Sequence, residues 1–294
     1  LTGVDELTVG DGGTASFGAS GRTSLGNASA GTFVLPTLRL DGRSATDGSA
    51  SATGTLADGV TLEVGSLEVA SGTLEIEGTV HINATTLVNV SSSGSVVGTG
   101  RSHTTNNQGP TNANAQSHAY ESGTHGGVGM YDYSPETFGT PYGSTFEPVT
   151  VGSGSLYCKG GAALRVTSDV VVLDGGTIAM DGGTYTNYGG GAGGSVWLTT
   201  RVLRGSGGSI SAAGGAGTNT NRAGGGGGRV AVYCNTSEYV GTWSGFSGLP
   251  AVDVSGGHSV TASRHSGSGT AYFECGEASR ALVLRSALSD YTAH

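Results

Sequence analysis

The sequence predicts an all-β protein, a parallel β-helix (β-solenoid) carrying one long loop excursion. Three observations lead there. Short Val/Leu/Ile alternations recur along the chain, broken by glycine or small polar residues every six to eight positions. A glycine-bounded strand repeats in the second half at spacings of 32 and then 34 residues. No twelve-residue stretch shows the 3.6-residue apolar period of an amphipathic helix.

The first unit, residues 1–100, supplies the N-terminal coils. From Val60 to Val97 the apolar residues fall in clusters: Val60, Leu62, Val64; Leu67, Val69; Leu74, Ile76; Val80, Ile82; Leu87, Val88, Val90. Each is a two- or three-step strand with one face inward. Strands this short are weak in a hairpin but suffice when each stacks on the next coil, so a β-helix fits better than a sandwich. Glycine is expected at positive-φ corners, where it also lets successive corners stack without a Cβ.

Residues 101–150 form the excursion, a Pro-, aromatic- and His-rich segment packed along the solenoid. It holds Pro110, Pro135, Pro141 and Pro148, together with His103, His118, His125, Tyr120, Tyr131, Tyr133, Phe138, Tyr142 and Phe146.

Residues 151–294 return to coils. Gly161-Ala162-Ala163-Leu164-Arg165-Val166-Thr167 aligns with Gly193 to Thr199 and with Gly227 to Tyr233; Gly176 to Met180 aligns with Gly208 to Ala212. Stacked coils then form inward ladders of Leu164 and Val166, Val196 and Leu198, Val230 and Val232, with Arg165, Trp197 and Ala231 outward. About ten coils are expected, a rod on the order of 50 Å. Gly269 to Cys275 repeats the strand again, Ala281 to Leu284 adds one more, and no polar cap follows, which points to further sequence or a partner. The opening at Leu1, without an initiator Met, points to a processed protein or a segment of a longer one.

Composition narrows the function. With 57 glycines not spaced every third residue, collagen is excluded, and 35% hydrophobic residues are too many for a disordered tail. A net charge of -9, with the basic residues scattered singly, argues against nucleic acid as a partner. No run of eighteen apolar residues is present to span a membrane as a helix. Cys158, Cys234 and Cys275 permit one disulfide. Cys234 and Cys275 end similar strands and are the expected pair, with three reduced, buried cysteines as the alternative. Asn27, Asn83, Asn89 and Asn235 each open an N-x-[S/T] glycosylation triplet, which favours an extracellular or cell-surface location.

The runs Gly189 to Thr199 and Gly224 to Tyr233, the His125-Gly126-Gly127, Pro141-Tyr142-Gly143-Ser144 and Glu147-Pro148 motifs and the Gly269 to Cys275 strand resemble those of large, glycine-rich secreted or cell-surface proteins of protists, bacteria and some animals. The resemblance spans about Ser117 to Leu284 and implies a right-handed parallel β-helix. It carries no catalytic residue.

No convincing active site is legible, and neither a catalytic set nor a cofactor is expected. Asp174 and Asp181 each open Asp-Gly-Gly-Thr and read as turn residues, with Ca²⁺ at those turns as the alternative. A carbohydrate-active enzyme near Asp174, Asp181 and Arg165, or one using Glu121, Asp132, Glu136 and Glu147, is the least favoured reading. His103, His118 and His125 with Asp132 match no standard metal spacing, and His125 reads instead as a fixture hydrogen-bonded to backbone. The expected function is a structural subunit of an extracellular fibre, appendage or coat, self-associating into a homopolymer and N-glycosylated. An adhesin or glycan-binding module using the excursion and aromatics such as Trp197 and Trp243 is the alternative.

Overall fold

The computed structural model describes residues 7–10, 14–17, 32–41, 52–103, 109, 122–130, 139–186, 188–217, 223–243, 246–258, 266–276 and 280–284. Sixteen strands and no helix occur among them. They are β1 (Leu7–Gly10), β2 (Thr14–Phe17), β3 (Thr32–Asp41), β4 (Thr53–Leu56), β5 (Thr61–Ile76), β6 (Thr79–Val97), β7 (Ala163–Asp174) and β8 (Thr177–Ala179). Then follow β9 (Ser195–Ser206), β10 (Ser209–Ser211), β11 (Arg229–Ser237), β12 (Thr242–Trp243), β13 (Phe246–Ser247), β14 (Ala251–Asp253), β15 (Thr270–Cys275) and β16 (Arg280–Leu284).

Eight strands stack in parallel in the order β1-β3-β5-β6-β7-β9-β11-β15, a solenoid of one coil per strand. The long strands turn corners. β5 pairs with β6 in three straight runs, with register shifts at Val64/Ser66 and Val69/Ser71, so each coil presents three short faces. The third face continues as β8, β10 and β14, stacked in register. Coil length varies along the chain: it is shortest, 20 residues, between the paired Glu63 and Asn83 of β5 and β6, and reaches 41 between Cys234 and Cys275 of β11 and β15. Among the described residues eight stacked strands result rather than the ten coils expected, because the step from β6 to β7 contains the whole excursion.

Alternation of side chains puts one aliphatic rank inside. Leu62, Ile82, Val166, Leu198, Val232 and Phe273 face one another in register and are at most 2% exposed. Each such side chain contributes about 1.5–3 kcal/mol by leaving water. Inward replacement by a charge would break the ladder at two interfaces, since every member packs on the coils before and after it.

The glycine runs do something the sequence reading did not assign to them. Gly191 and Gly194 donate to Gly183 and Met180 of one neighbouring segment, while Ala192 and Gly193 between them donate to Ser153 and Gly226. Likewise Gly225 and Gly228 donate to Gly215 and Ala212, with Gly226 and Gly227 donating to Gly123 and Gly267. The same neighbour returns every third residue. This is the three-residue rotation of polyproline II segments bonded sideways, not the two-residue alternation of a strand. A Cβ on Gly191 or Gly225 would overlap the carbonyl oxygen of Lys159 or Gly191. Close approach, not positive φ, therefore selects glycine here; positive φ occurs elsewhere, at corners such as Gly175 (72°) and Gly205 (112°).

The excursion, expected to end at residue 150, runs on to residue 162 because β7 begins only at Ala163, and it supplies a third set of such segments. Gly123 donates to Gly190, Gly127 to Gly227, Gly161 to Ala192 and Ala162 to Gly98, so residues 122–130 and 150–162 are stitched onto the coils by backbone. At the far end the strand after β15 turns back. β16 pairs antiparallel to β15, so the expected further strand closes a hairpin instead of starting another coil.

Candidate functional site

Two features stand on the outer face of the β7-β9-β11-β15 wall: a buried polar clasp and an open cleft. The clasp begins with His125, which is 0% exposed. Its Nδ1 lies 2.7 Å from the Gly193 carbonyl and its Nε2 2.8 Å from Thr150 Oγ1. A carbonyl only accepts, so Nδ1 carries the proton and Nε2 accepts from the threonine hydroxyl. Burial, with Arg229 nearby, lowers its pKa to about 4. Both ring nitrogens are thus engaged, and the imidazole is a fixture on backbone.

Tyr142 packs against His125 with ring centroids 4.7 Å apart. Its amide donates to the His125 carbonyl, and its hydroxyl donates to Val151 O at 2.7 Å. Burial raises its pKa. Arg229, 6% exposed, sends Nε to the Tyr142 carbonyl at 2.8 Å and Nη1 to Thr145 Oγ1 and Thr270 Oγ1. Burial lowers its pKa too. Gly143, at φ 77°, passes so close to Thr150 and His125 that a side chain would clash. The His-Gly-Gly and Pro-Tyr-Gly-Ser motifs therefore meet around one arginine from the coil.

Sequence reasoning missed Arg229. Its signal was present: it occupies the first strand position, where its register partners Ser195 and Thr270 are small and Ala163, one coil further, is smaller still.

The cleft lies beside the clasp. It is open, about 440 Å³, and lined by Thr199, Thr200, Tyr233, Cys234, Asn235, Glu274 and Gly276. Tyr233 donates its hydroxyl to Phe146 O at 2.8 Å, and Tyr272 donates to Glu274 Oε2 at 2.6 Å. Burial raises the Tyr233 pKa. Phe146, from the excursion, meets Tyr272 edge-on at 4.9 Å. Farther along the wall the Arg165 guanidinium sits 4.1 Å from the Trp197 ring centroid. Ala231, expected outward beside them, is fully covered.

The other sequence-predicted residues are dispersed. Cys234 and Cys275 face one another in register and form a disulfide, Cα–Cα 4.4 Å, while Cys158 is a buried free thiol. Asn235 is exposed at the cleft rim; Asn83 and Asn89 are half-buried in β6, with Asn83 donating to Glu63 at 2.7 Å. Asn27, His118, Glu121, Asp132 and Glu136 lie outside the described residues. Asp174 ends β7 before the positive-φ Gly175, as a turn residue does. Asp181 is not at a turn. It is largely buried, accepts from Ser211 Oγ and the Ala213 amide, and burial raises its pKa. Among the described residues no three His, Cys, Asp or Glu side chains gather as metal ligands. Nor, among the described residues, is any helix long and apolar enough to cross a membrane.

The fold defines a β-solenoid with laterally bonded glycine segments. No family model, curated protein or solved structure matches the chain.

Proposed function

We propose that the chain is a structural subunit of an extracellular fibre, appendage or surface coat, similar to large glycine-rich surface proteins and wound as a right-handed parallel β-helix. The observation that carries this reading is the Cys234–Cys275 disulfide between adjacent coils, because such a bond persists in oxidising, secreted settings. Two further features support it. The buried His125 and Arg229 are committed to holding backbone, and the glycine runs serve close packing. The solenoid self-associates along its axis, and N-glycosylation falls first on Asn235, the exposed triplet beside the disulfide.

A test uses material recovered from a secretory expression route. Non-reducing peptide mapping is expected to return a Cys234–Cys275 linked pair, and glycosidase treatment to lower the mass through Asn235. Free thiols at both cysteines with no glycan would remove the extracellular reading.

The second reading, a glycan-binding surface module, is favoured by the cleft, whose hydroxyl, amide and carboxylate groups suit a sugar's hydroxyls. Binding on a glycan array that is lost in Tyr233→Ala with Glu274→Ala would establish it; a blank array would dismiss it.

A further inference from the structure

Three tyrosines gather where the excursion meets the coils. The rings of Tyr157 and Tyr188 lie with centroids 3.8 Å apart, and Tyr185 stands 5.9 Å from Tyr157 and 5.8 Å from Tyr188. Tyr157 is 39% and Tyr185 50% exposed. Backbone fixes the arrangement. Ser155 and Cys158 close the turn that carries Tyr157, and Ser155 Oγ donates at 2.6 Å to the carbonyl of Gly189, the residue next to Tyr188.

We propose that Tyr157 and Tyr188 are a site of oxidative modification, coupling to each other as dityrosine. Dityrosine forms between the ring carbons that flank the hydroxyl-bearing carbons. Two phenol rings held with centroids 3.8 Å apart bring those carbons together, and tethering makes the encounter intramolecular. The oxidant is hydrogen peroxide acting through a haem peroxidase. Each ring gives up one electron and its phenolic proton. The two radicals form one carbon–carbon bond, and the displaced ring hydrogens return to the oxygens and restore both phenols. In total two electrons and two protons pass to the peroxide, which leaves as two waters.

The geometry is selective. Tyr233 and Tyr272 are also neighbours, with centroids 5.5 Å apart, but their hydroxyls are directed elsewhere, to Phe146 O and Glu274. Tyr239 is 6% exposed and donates to Gly208 O. Coupling at Tyr157 and Tyr188 would tie the segment before β7 to the segment before β9, a second covalent link in addition to the disulfide. The proposal rests on ring geometry and stands or falls separately from the fibre reading.

The experiment treats the purified full chain, dilute enough to remain monomeric, with hydrogen peroxide and a haem peroxidase. The expected result is dityrosine fluorescence, a monomer lighter by two hydrogen atoms, and a linked peptide pair containing Tyr157 and Tyr188. Tyr157→Phe and Tyr188→Phe each abolish that product while keeping the wild-type circular dichroism spectrum, and Tyr233→Phe leaves it intact. A monomer of unchanged mass, a product that persists in Tyr157→Phe, or linked peptides drawn from other tyrosines would overturn the assignment.

Discussion

Single glycines carry two different duties, and substitution separates them. Gly191 is held against the Lys159 carbonyl, so Gly191→Ala forces backbone apart and is expected to cost about 2–4 kcal/mol. Gly207, at φ 65° with nothing within 4 Å of a Cβ, is needed only for its conformation, so Gly207→Ala should cost about 1 kcal/mol. Urea midpoints of the two variants check the ordering, and equal losses would show that contact is not the reason for glycine at 191. His125 gives a second prediction at this scale. Its folded pKa of about 4 lies below the 6.5 of the unfolded chain, so the unfolded state takes the proton first. Its contribution is complete above about pH 6.5 and is lost as pH falls toward 4, a total of about 3 kcal/mol. Stability measured across that range should decline in the wild type and decline less steeply in His125→Gln, where His81 and His103, whose pKa burial also lowers, still contribute. A wild-type profile that stays level would mean the ring is not buried neutral.

At the scale of elements, strands were legible and glycine segments were not. The inward ladder of Leu164, Val196 and Val230 follows from alternation and from the 32- and 34-residue repeat, since neighbouring coils must place like residues face to face. The runs at 189–194 and 224–228 have no apolar pattern to read, because their cohesion is backbone hydrogen bonding and glycine leaves no side-chain trace. His125 was readable as a backbone fixture, whereas Arg229, its partner in the clasp, appeared only when distant segments came together. Arg229→Ala removes bonds to Tyr142, Thr145 and Thr270 at once. The expected loss is about 2–4 kcal/mol, with new protease cleavage within 139–150. Resistance equal to wild type would show that the excursion is held by its glycine segments alone. The β11–β15 disulfide closes a 41-residue separation, worth about 4 kcal/mol on a chain-entropy account. Cys275→Ser should lower the urea midpoint accordingly, and an unchanged midpoint would make the bond incidental.

At the scale of the molecule, eight parallel strands stack among the described residues, those from β3 to β15 share one apolar column, and the buried His125 and Arg229 hold backbone in place. The strands present a stack spacing of about 4.8 Å, so a rod on the order of 35 Å long results. A protein organised in this way is suited to bearing load or displaying a surface, and the proposed fibre role extends the same stacking beyond a single chain. Electron microscopy of the native, undenatured protein tests that claim most directly. The account predicts filaments whose axial rise is a whole multiple of the coil spacing; dispersed single rods at every concentration would contradict it.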